Sequence, residues 1–349
     1  MPKDNLPIIS LFCGAGGLDL GFRKAGYRAI TAFDNLPAAV KTYNLNSKRQ
    51  VAQQIDLAKV TPSEFLAIIE EHTGGIHPVG LVGGPPCQGF SRGNIRKKPD
   101  DPRNGLLATY AELLESLKLA YDIDFFAFEN VLGLATPLYR ARFTELKEQF
   151  GRAGFDVFAS QLNARQFGVA QNRPRLFVVG INKKHQCSEF VFPTGSDRII
   201  TVREALRGLP DPVFYSRHLR WEDIPFHQNH WTMVPKSDKF KKKFQSKSRS
   251  FRRLEWNEVS PLIAYGNREI HVHPSGNRRL SVLEAMLLQG FPQGYRLIGT
   301  LSDQITQVSN AVPPPVAQAL ATQIRKTLRH ASRNDARPCF LRGKSHGKG

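Results

Sequence analysis

Six short apolar runs recur through the first half of this 349-residue chain, and stretches of a different periodicity separate most of them. The runs are PIISLF (7–12), YRAITAF (27–33), VGLVGG (79–84), DFFAF (124–128), FDVFAS (155–160) and RLFVVG (175–180). Their length and their β-branched and aromatic content suit strands. Between them, GLLATYAELLESLKLAY (105–121) repeats Leu106, Tyr110, Leu113, Leu114, Leu117 and Tyr121 at helical spacing, and YRARFTELKEQF (139–150) reads the same way. Strands that are apolar on both faces need cover on both faces. The alternation therefore predicts an α/β fold, a doubly wound, mostly parallel Rossmann-like sheet with helices on each side. Sites on such sheets lie beyond the C-terminal ends of the strands.

The character of the chain changes near residue 190. From there to about 280 it is rich in Pro, Trp, His, Lys and Arg and has little periodicity. Helical patterns return in SVLEAMLLQGF (281–291) and PPVAQALATQIRKTL (314–328). This predicts a first domain over 1–189, a smaller irregular part after it and a basic, disordered tail over 330–349. No internal repeat is visible.

Charge narrows the partners. Lys+Arg number 49 against 30 Asp+Glu, a net charge of +19. An excess this large points to a polyanion, nucleic acid first. A membrane surface is the weaker candidate, because no apolar run approaches spanning length. Residues 236–253, KSDKFKKKFQSKSRSFRR, hold nine Lys/Arg and one Asp with phenylalanines interleaved. They read as a phosphate-contacting surface rather than a merely solvated loop. The N-terminus has no signal-peptide pattern, and Cys13, Cys87, Cys187 and Cys339 have no paired spacing. A cytoplasmic, reduced protein with free thiols is expected. The histidines show no metal-ligand spacing, and the pair in HVHP (271–274) reads as alternation on an extended segment.

The first strand runs into FCGAGGLDLGF. Gly14, Gly16 and Gly17 allow a sharp turn and a close approach to a ligand. The dinucleotide fingerprint would place its third glycine at Asp19, so a pyrophosphate cradle fails. The second strand ends at Asp34, twenty positions after Gly14 (34 − 14 = 20), where an acid accepts from ribose hydroxyls. Asp56, after a further short apolar turn, is placed to accept from an adenine amino group. A glycine loop with two such acids and no phosphate cradle suits an adenosine cofactor without phosphates. S-adenosylmethionine is such a molecule.

The stretch LVGGPPCQGFS (81–91) fixes backbone angles around one sulfur, that of Cys87. GGPPCQGFS resembles the nucleophile motif of the DNA (cytosine-5) methyltransferases, in their bacterial or phage form. FCGAGG (12–17) resembles that family's cofactor loop, FENV (128–131) its Glu-Asn-Val motif and QNRPR (171–175) its Gln-x-Arg-x-Arg pattern. RRLSVLEAMLLQGFP (278–292) and QVSNAVPPPVAQALA (307–321) are similar to its two late motifs. All six occur in the family's order and span residues 8 to about 328. One departure is Ser309, where the family usually has glycine. A second is SPLIAYG (260–266), where a Pro-x-x-Thr-like pattern is common.

The resemblance implies a chemistry. The Cys87 thiolate would add to carbon 6 of cytosine, which breaks aromaticity and makes carbon 5 nucleophilic toward a sulfonium methyl. Glu129 would stabilise charge developing at ring nitrogen 3, and for that it must carry or share a proton. Arg173 and Arg175 would line the base pocket, with Arg175 on the cytosine carbonyl oxygen. The cofactor would be held by Phe12, Gly14, Ala15, Gly16, Gly17, Asp34, Asn35, Asp56, Leu57, Gly84, Pro86, Leu106, Asn310 and Ala311. DNA would be met by Gln88, Ser91, Arg92, Arg96, Lys97, Lys98 and Gln171, most of them in a loop (91–105) resembling the family's mobile catalytic loop. Segment 190–280 matches the family's target-recognition domain, so the resemblance implies a recognition domain over 190–292, a return to the first domain over 293–329 and a terminal helix packed back on the first half.

The expected partner is double-stranded DNA, entered by base flipping at a cost of roughly a few kcal/mol. The expected setting is a restriction–modification system or a solitary enzyme. A cognate endonuclease would be a functional partner without required contact, and the enzyme a monomer. A tRNA methyltransferase on the same scaffold is the main alternative, although its Cys-Phe-Thr tripeptide is absent. A catalytically dead DNA-binding protein is disfavoured by Cys87, Glu129 and both arginines. A dehydrogenase is disfavoured by the glycine spacing.

Overall fold

The computed structural model describes residues 5–86, 105–187, 189–236, 240, 252–262, 264–265 and 269–335. All six apolar runs are strands: β1 Leu6–Leu11, β2 Tyr27–Asp34, β4 Gly80–Gly83, β5 Phe125–Asn130, β6 Phe155–Asn163 and β7 Pro174–Asn182. A short β3, Ala52–Gln54, joins them and was not foreseen, because three residues carry no periodicity. The sheet order is β3-β2-β1-β4-β5-β7-β6. β1, β2, β3, β4 and β5 are parallel, and β7 runs antiparallel to both neighbours. That antiparallel strand is a correction to simple βα alternation. Only a short 3₁₀ turn, Ala164–Phe167, and a loop lie between β6 and β7. A connection without a crossover helix returns the chain antiparallel.

Both faces of the sheet are buried, and alternate residues divide between two cores. Ile9, Leu11, Phe126 and Phe128 pack with Phe65 of α3 (Pro62–Thr73), Tyr110 and Leu114 of α4 (Leu106–Tyr121) and Phe150 of α5 (Arg140–Arg152). Ile8, Phe125, Ala127, Phe177 and Val179 face the other way, onto Phe22 of α1 (Gly17–Lys24) and Val316, Leu320 and Ile324 of the terminal helix. The period-two alternation of a strand does this sorting. α2, Pro37–Leu45, flanks β2 and β3.

From residue 190 onward regular structure is sparse. A four-residue helix, α6 (Val202–Ala205), accompanies two short strand pairs, Val213–Phe214 with Trp231–Thr232 and Ala264–Tyr265 with Glu269–Ile270. α7 (Val282–Leu288), α8 (Leu301–Asn310) and α9 (Pro314–Asp335) follow. A third core holds this part together: Val202, Trp231, Leu254, Leu280, Met286, Phe291 and Leu297, continuing to Ala15 and Leu20 of the first half. Arg278 and Glu284 form a buried bidentate pair, with Nη1–Oε2 at 2.8 Å and Nη2–Oε1 at 2.9 Å.

The terminal helix packs on α1. A Cβ on Gly21 would lie 2.4 Å from Ala317 Cβ and 2.6 Å from the Pro314 carbonyl oxygen, so only glycine permits this approach. Arg325 Nη1 donates to the Ala25 carbonyl at 2.8 Å. α9 continues to Asp335, so residues 330–335 are helical where a disordered tail was expected. Extending a nucleated helix by one residue costs little, which lets polar residues follow an apolar-faced one. Residues 336–349, Cys339 among them, lie outside the described residues. His271 and His273 are both buried; His271 Nε2 pairs with the Leu262 carbonyl at 2.5 Å and His273 Nδ1 with Ser275 Oγ at 2.8 Å. Among the described residues no helix is long and apolar enough to cross a membrane.

Candidate active site

The strand order reverses between β1 and β4, which opens a crevice at their C-terminal ends. The loop leaving β1 forms its floor. Phe12 takes φ 52°, rare for a residue with a side chain, and Gly14 takes φ 53°. A Cβ on Gly14 would meet no atom within 4 Å, so this part of the loop faces open space. Asp34, at the end of β2, secures the loop. Its Oδ2 accepts from the Gly14 amide at 2.8 Å and its Oδ1 from the Leu36 amide at 2.9 Å. Burial raises its carboxyl pKa, against the amides that favour its charge. Asp56 caps a 3₁₀ turn, Leu57–Lys59, and lies 3.4 Å from Lys59.

The loop leaving β4 is the opposite wall. Gly84, Pro85 and Pro86 line the crevice, and the Pro85 carbonyl accepts from Asn130 Nδ2 at 3.3 Å. Glu129, the penultimate residue of β5, is 8% exposed. Arg175 Nε lies 3.0 Å from Glu129 Oε1. Burial pushes the Glu129 carboxyl up, while Arg175 and then Arg173 pull it down; the net direction is up. A Cβ on Gly84 would stand 4.0 Å from Glu129 Oε2, so the β4 loop and the acid face each other closely.

The turn from α8 to α9 closes the cavity. Arg173 Nη2 donates to the Ser309 carbonyl at 2.8 Å, joining the start of β7 to that turn. The cavity measures about 340 Å³ and is lined by the loops after β1 and β4, the ends of β2 and β5, the start of α4 and this turn. That volume suits a small organic ligand.

Phe12, Gly14, Ala15, Gly17, Asp34, Asn35, Asp56, Leu57, Gly84, Pro86, Leu106, Asn310 and Ala311 all line this cavity together with Glu129, Arg173 and Arg175. Gly16 does not. It caps α1 at φ 78°, its amide bonds the Cys13 carbonyl at 2.9 Å, and its α-carbon faces Tyr295 and Tyr43. It shapes the turn between the cavity-lining Ala15 and Gly17. Gln171, expected to meet DNA, is fully buried, and its Nε2 donates to Gln289 Oε1 at 2.5 Å. Cys87, Gln88, Ser91, Arg92, Arg96, Lys97 and Lys98 lie outside the described residues, as does most of the basic segment 236–253. The cavity also uses Cys13, Leu36, Ile55, Val131, Gln307 and Ser309, which sequence reasoning did not select. Val131, Gln307 and Ser309 stand inside quoted motifs and could have been found there. Leu36 and Ile55 carry no signal beyond apolarity.

A seven-stranded sheet in this order, with a glycine loop after β1 and an acid ending β2, defines the S-adenosylmethionine-dependent methyltransferase class. Within it, this chain belongs to the C-5 cytosine-specific DNA methylase family, whose profile matches residues 6–326. It is 32% identical over 348 residues to type II methyltransferase M.MthTI of Methanothermobacter thermautotrophicus, covering 93% of this chain and 98% of the relative. It is 33% identical over 340 residues to type II methyltransferase M1.HphI of Haemophilus parahaemolyticus, covering 92% and 87%. Among solved structures, one assigned as a prophage-encoded DNA modification methyltransferase of E. coli superposes with a TM-score of 0.75 at 24% identity, over 93% of this chain and all of that one. The S. pombe Dnmt2 methyltransferase superposes at 0.63 and 17%, over 93% and 99%. The enzyme is a DNA (cytosine-5) methyltransferase by family, and that class draws its methyl group from S-adenosylmethionine.

Proposed function

We propose that this enzyme methylates carbon 5 of cytosine within a specific duplex DNA sequence, with Cys87 as nucleophile and the β1–β4 crevice as the cofactor site. One observation carries the reading. Glu129, Arg173 and Arg175 share a single cavity with the glycine loop and Asp34, so groups suited to a pyrimidine and to an adenosine meet. The residues fit the cofactor: Gly14 leaves space beside the loop, and Asp34 offers acceptors at the end of β2. When bound, S-adenosylmethionine supplies an electrophilic methyl group. Asp34, Asn35, Leu57, Asn310 and Ala311 would hold it, and Asp56 would accept from the adenine amino group.

The chain's own residues do the rest. Cys87, bonded to the cavity-lining Pro86, adds as thiolate to carbon 6 of a flipped cytosine. Protonated Glu129 donates to ring nitrogen 3 as electrons reach it, and its upward-shifted pKa favours the form that can. Arg175 steadies the carbonyl oxygen and orients Glu129 through their 3.0 Å contact. Arg92, Arg96, Lys97 and Lys98 would meet phosphates and Gln88 and Ser91 the strand around the gap, with residues 190–292 reading sequence and 1–189 with 293–329 performing transfer. The enzyme would act as a monomer, the modification partner of an endonuclease or a solitary enzyme.

The test is transfer of labelled methyl to duplex DNA and to total tRNA in parallel. Label is expected at cytosine in duplex DNA and should vanish in Cys87→Ala, which keeps its DNA affinity. Label in tRNA alone overturns the substrate. Covalent trapping on 5-fluorocytosine DNA that persists in Cys87→Ala overturns the nucleophile.

A further inference from the structure

Gln289 follows the last turn of α7 and is completely buried. Its amide joins three segments distant in sequence. Oε1 accepts from Gln171 Nε2 at 2.5 Å. Nε2 donates to the carbonyls of Val308 at 3.0 Å and Ala311 at 2.6 Å. Gln171 leads into the segment that carries Arg173 and Arg175. Val308 and Ala311 bracket Ser309 and Asn310, the end of α8, which lines the cavity together with Ala311 and Val312 of the turn to α9. Arg173 then bonds the Ser309 carbonyl at the same helix end.

This bridge differs from ordinary core packing. A buried amide gains little over an apolar side chain of equal volume, because its hydrogen bonds mainly repay its own desolvation. The Gln171–Gln289 pair is not even fully repaid: Gln171 Oε1 is buried and has no hydrogen-bond partner among the described residues. An unsatisfied buried acceptor costs about 1–3 kcal/mol. The pair is therefore a poor device for stability and a good one for fixing distance. It ties the wall that faces the base to the wall that faces the cofactor, through a third element.

We propose that Gln289 is a positioning residue whose amide sets the separation between the arginine pair and the cofactor-facing turn, and so the register of the two reactants. The proposal rests on the reaction assigned above. Gln289→Met keeps the volume and removes every hydrogen bond. Gln289→Glu keeps an acceptor for Gln171 and removes the donors to the two carbonyls. Both are measured for kcat, cofactor KM, S-adenosylmethionine Kd without DNA, duplex affinity and thermal midpoint.

The expected result is a split. kcat falls by about tenfold to a hundredfold, as small misplacements of reactants do. Cofactor KM and Kd rise, and duplex affinity stays at the wild-type value. Wild-type kcat and cofactor Kd in Gln289→Met overturn the proposal. So does a loss of activity that cooling restores in full, which marks a merely structural role. If neither variant folds, Gln171→Leu carries the test, since it cuts only the link to the arginine segment; wild-type kcat and cofactor Kd there overturn it. A wild-type enzyme that labels no duplex DNA defeats the assigned reaction instead, and cofactor Kd still reads the proposal.

Discussion

Glu129 is held between opposing influences. Burial raises its pKa and the two arginines lower it, with burial the stronger. A raised pKa extends the protonated form to higher pH, so activity should decline on the alkaline side as Glu129 ionises. Glu129→Gln keeps a donor that does not ionise there; that limb of the kcat profile should disappear. Glu129→Ala should lower kcat by roughly 10²–10⁴, the usual worth of one acid–base group. Asp19 gives a second residue-scale prediction, on stability. It is buried, accepts from Ser10 Oγ at 2.9 Å and Tyr43 OH at 3.0 Å, and its pKa is raised by desolvation to about 6. The unfolded chain releases this proton near the ordinary carboxylate value while the fold retains it. Its contribution therefore falls as pH rises from about 4 to 6 and is level above that. Urea unfolding at stepped pH should show a slope of about 3 kcal/mol across that window that Asp19→Asn lacks.

At the scale of elements, the contact of α1 with α9 is the most demanding. Gly21→Ala would force its new methyl against backbone at Gln318 and Pro314, which cannot swing aside as a side chain does. The expected cost is about 1–3 kcal/mol, read as a lower urea midpoint at unchanged slope. Because α9 begins two residues after the cavity-lining Val312, the same variant should weaken cofactor binding without altering Glu129 or Arg175. The strands and long helices of the first half were legible because their apolar periods were long. β3 was not, with three residues, nor the direction of β7, which depends on what the intervening loop does.

For the whole molecule, the net charge of +19 makes salt dependence the expected signature of DNA association. Affinity should fall about 10³-fold or more between 50 and 200 mM salt if six or more phosphates are contacted. A filter-binding series over that range checks it, and a flat response would remove the duplex as partner. The third core is a finding of the same scale. It carries residues 202–297 and still reaches Ala15 and Leu20, so the irregular half is seated on the glycine loop itself. Asn46 exchanges two hydrogen bonds with Arg296, at 2.7 and 2.9 Å, and adds to that seating.

The sequence by itself determined the layered sheet and the family, because strand periods, the glycine loop and Asp34 are local patterns with local physical causes, and FEN and QNRPR are short motifs that a resemblance reads directly. Tertiary structure alone decided what those residues do to one another. Gly16 caps α1 against Tyr43 and Tyr295, which arrive from elsewhere in the chain. Gln171 is half of a buried bridge, since Gln289, 118 positions away, meets it in the core. Whether a polar side chain faces solvent, ligand or another amide depends on which distant segment covers it, and no window of neighbouring residues contains that information.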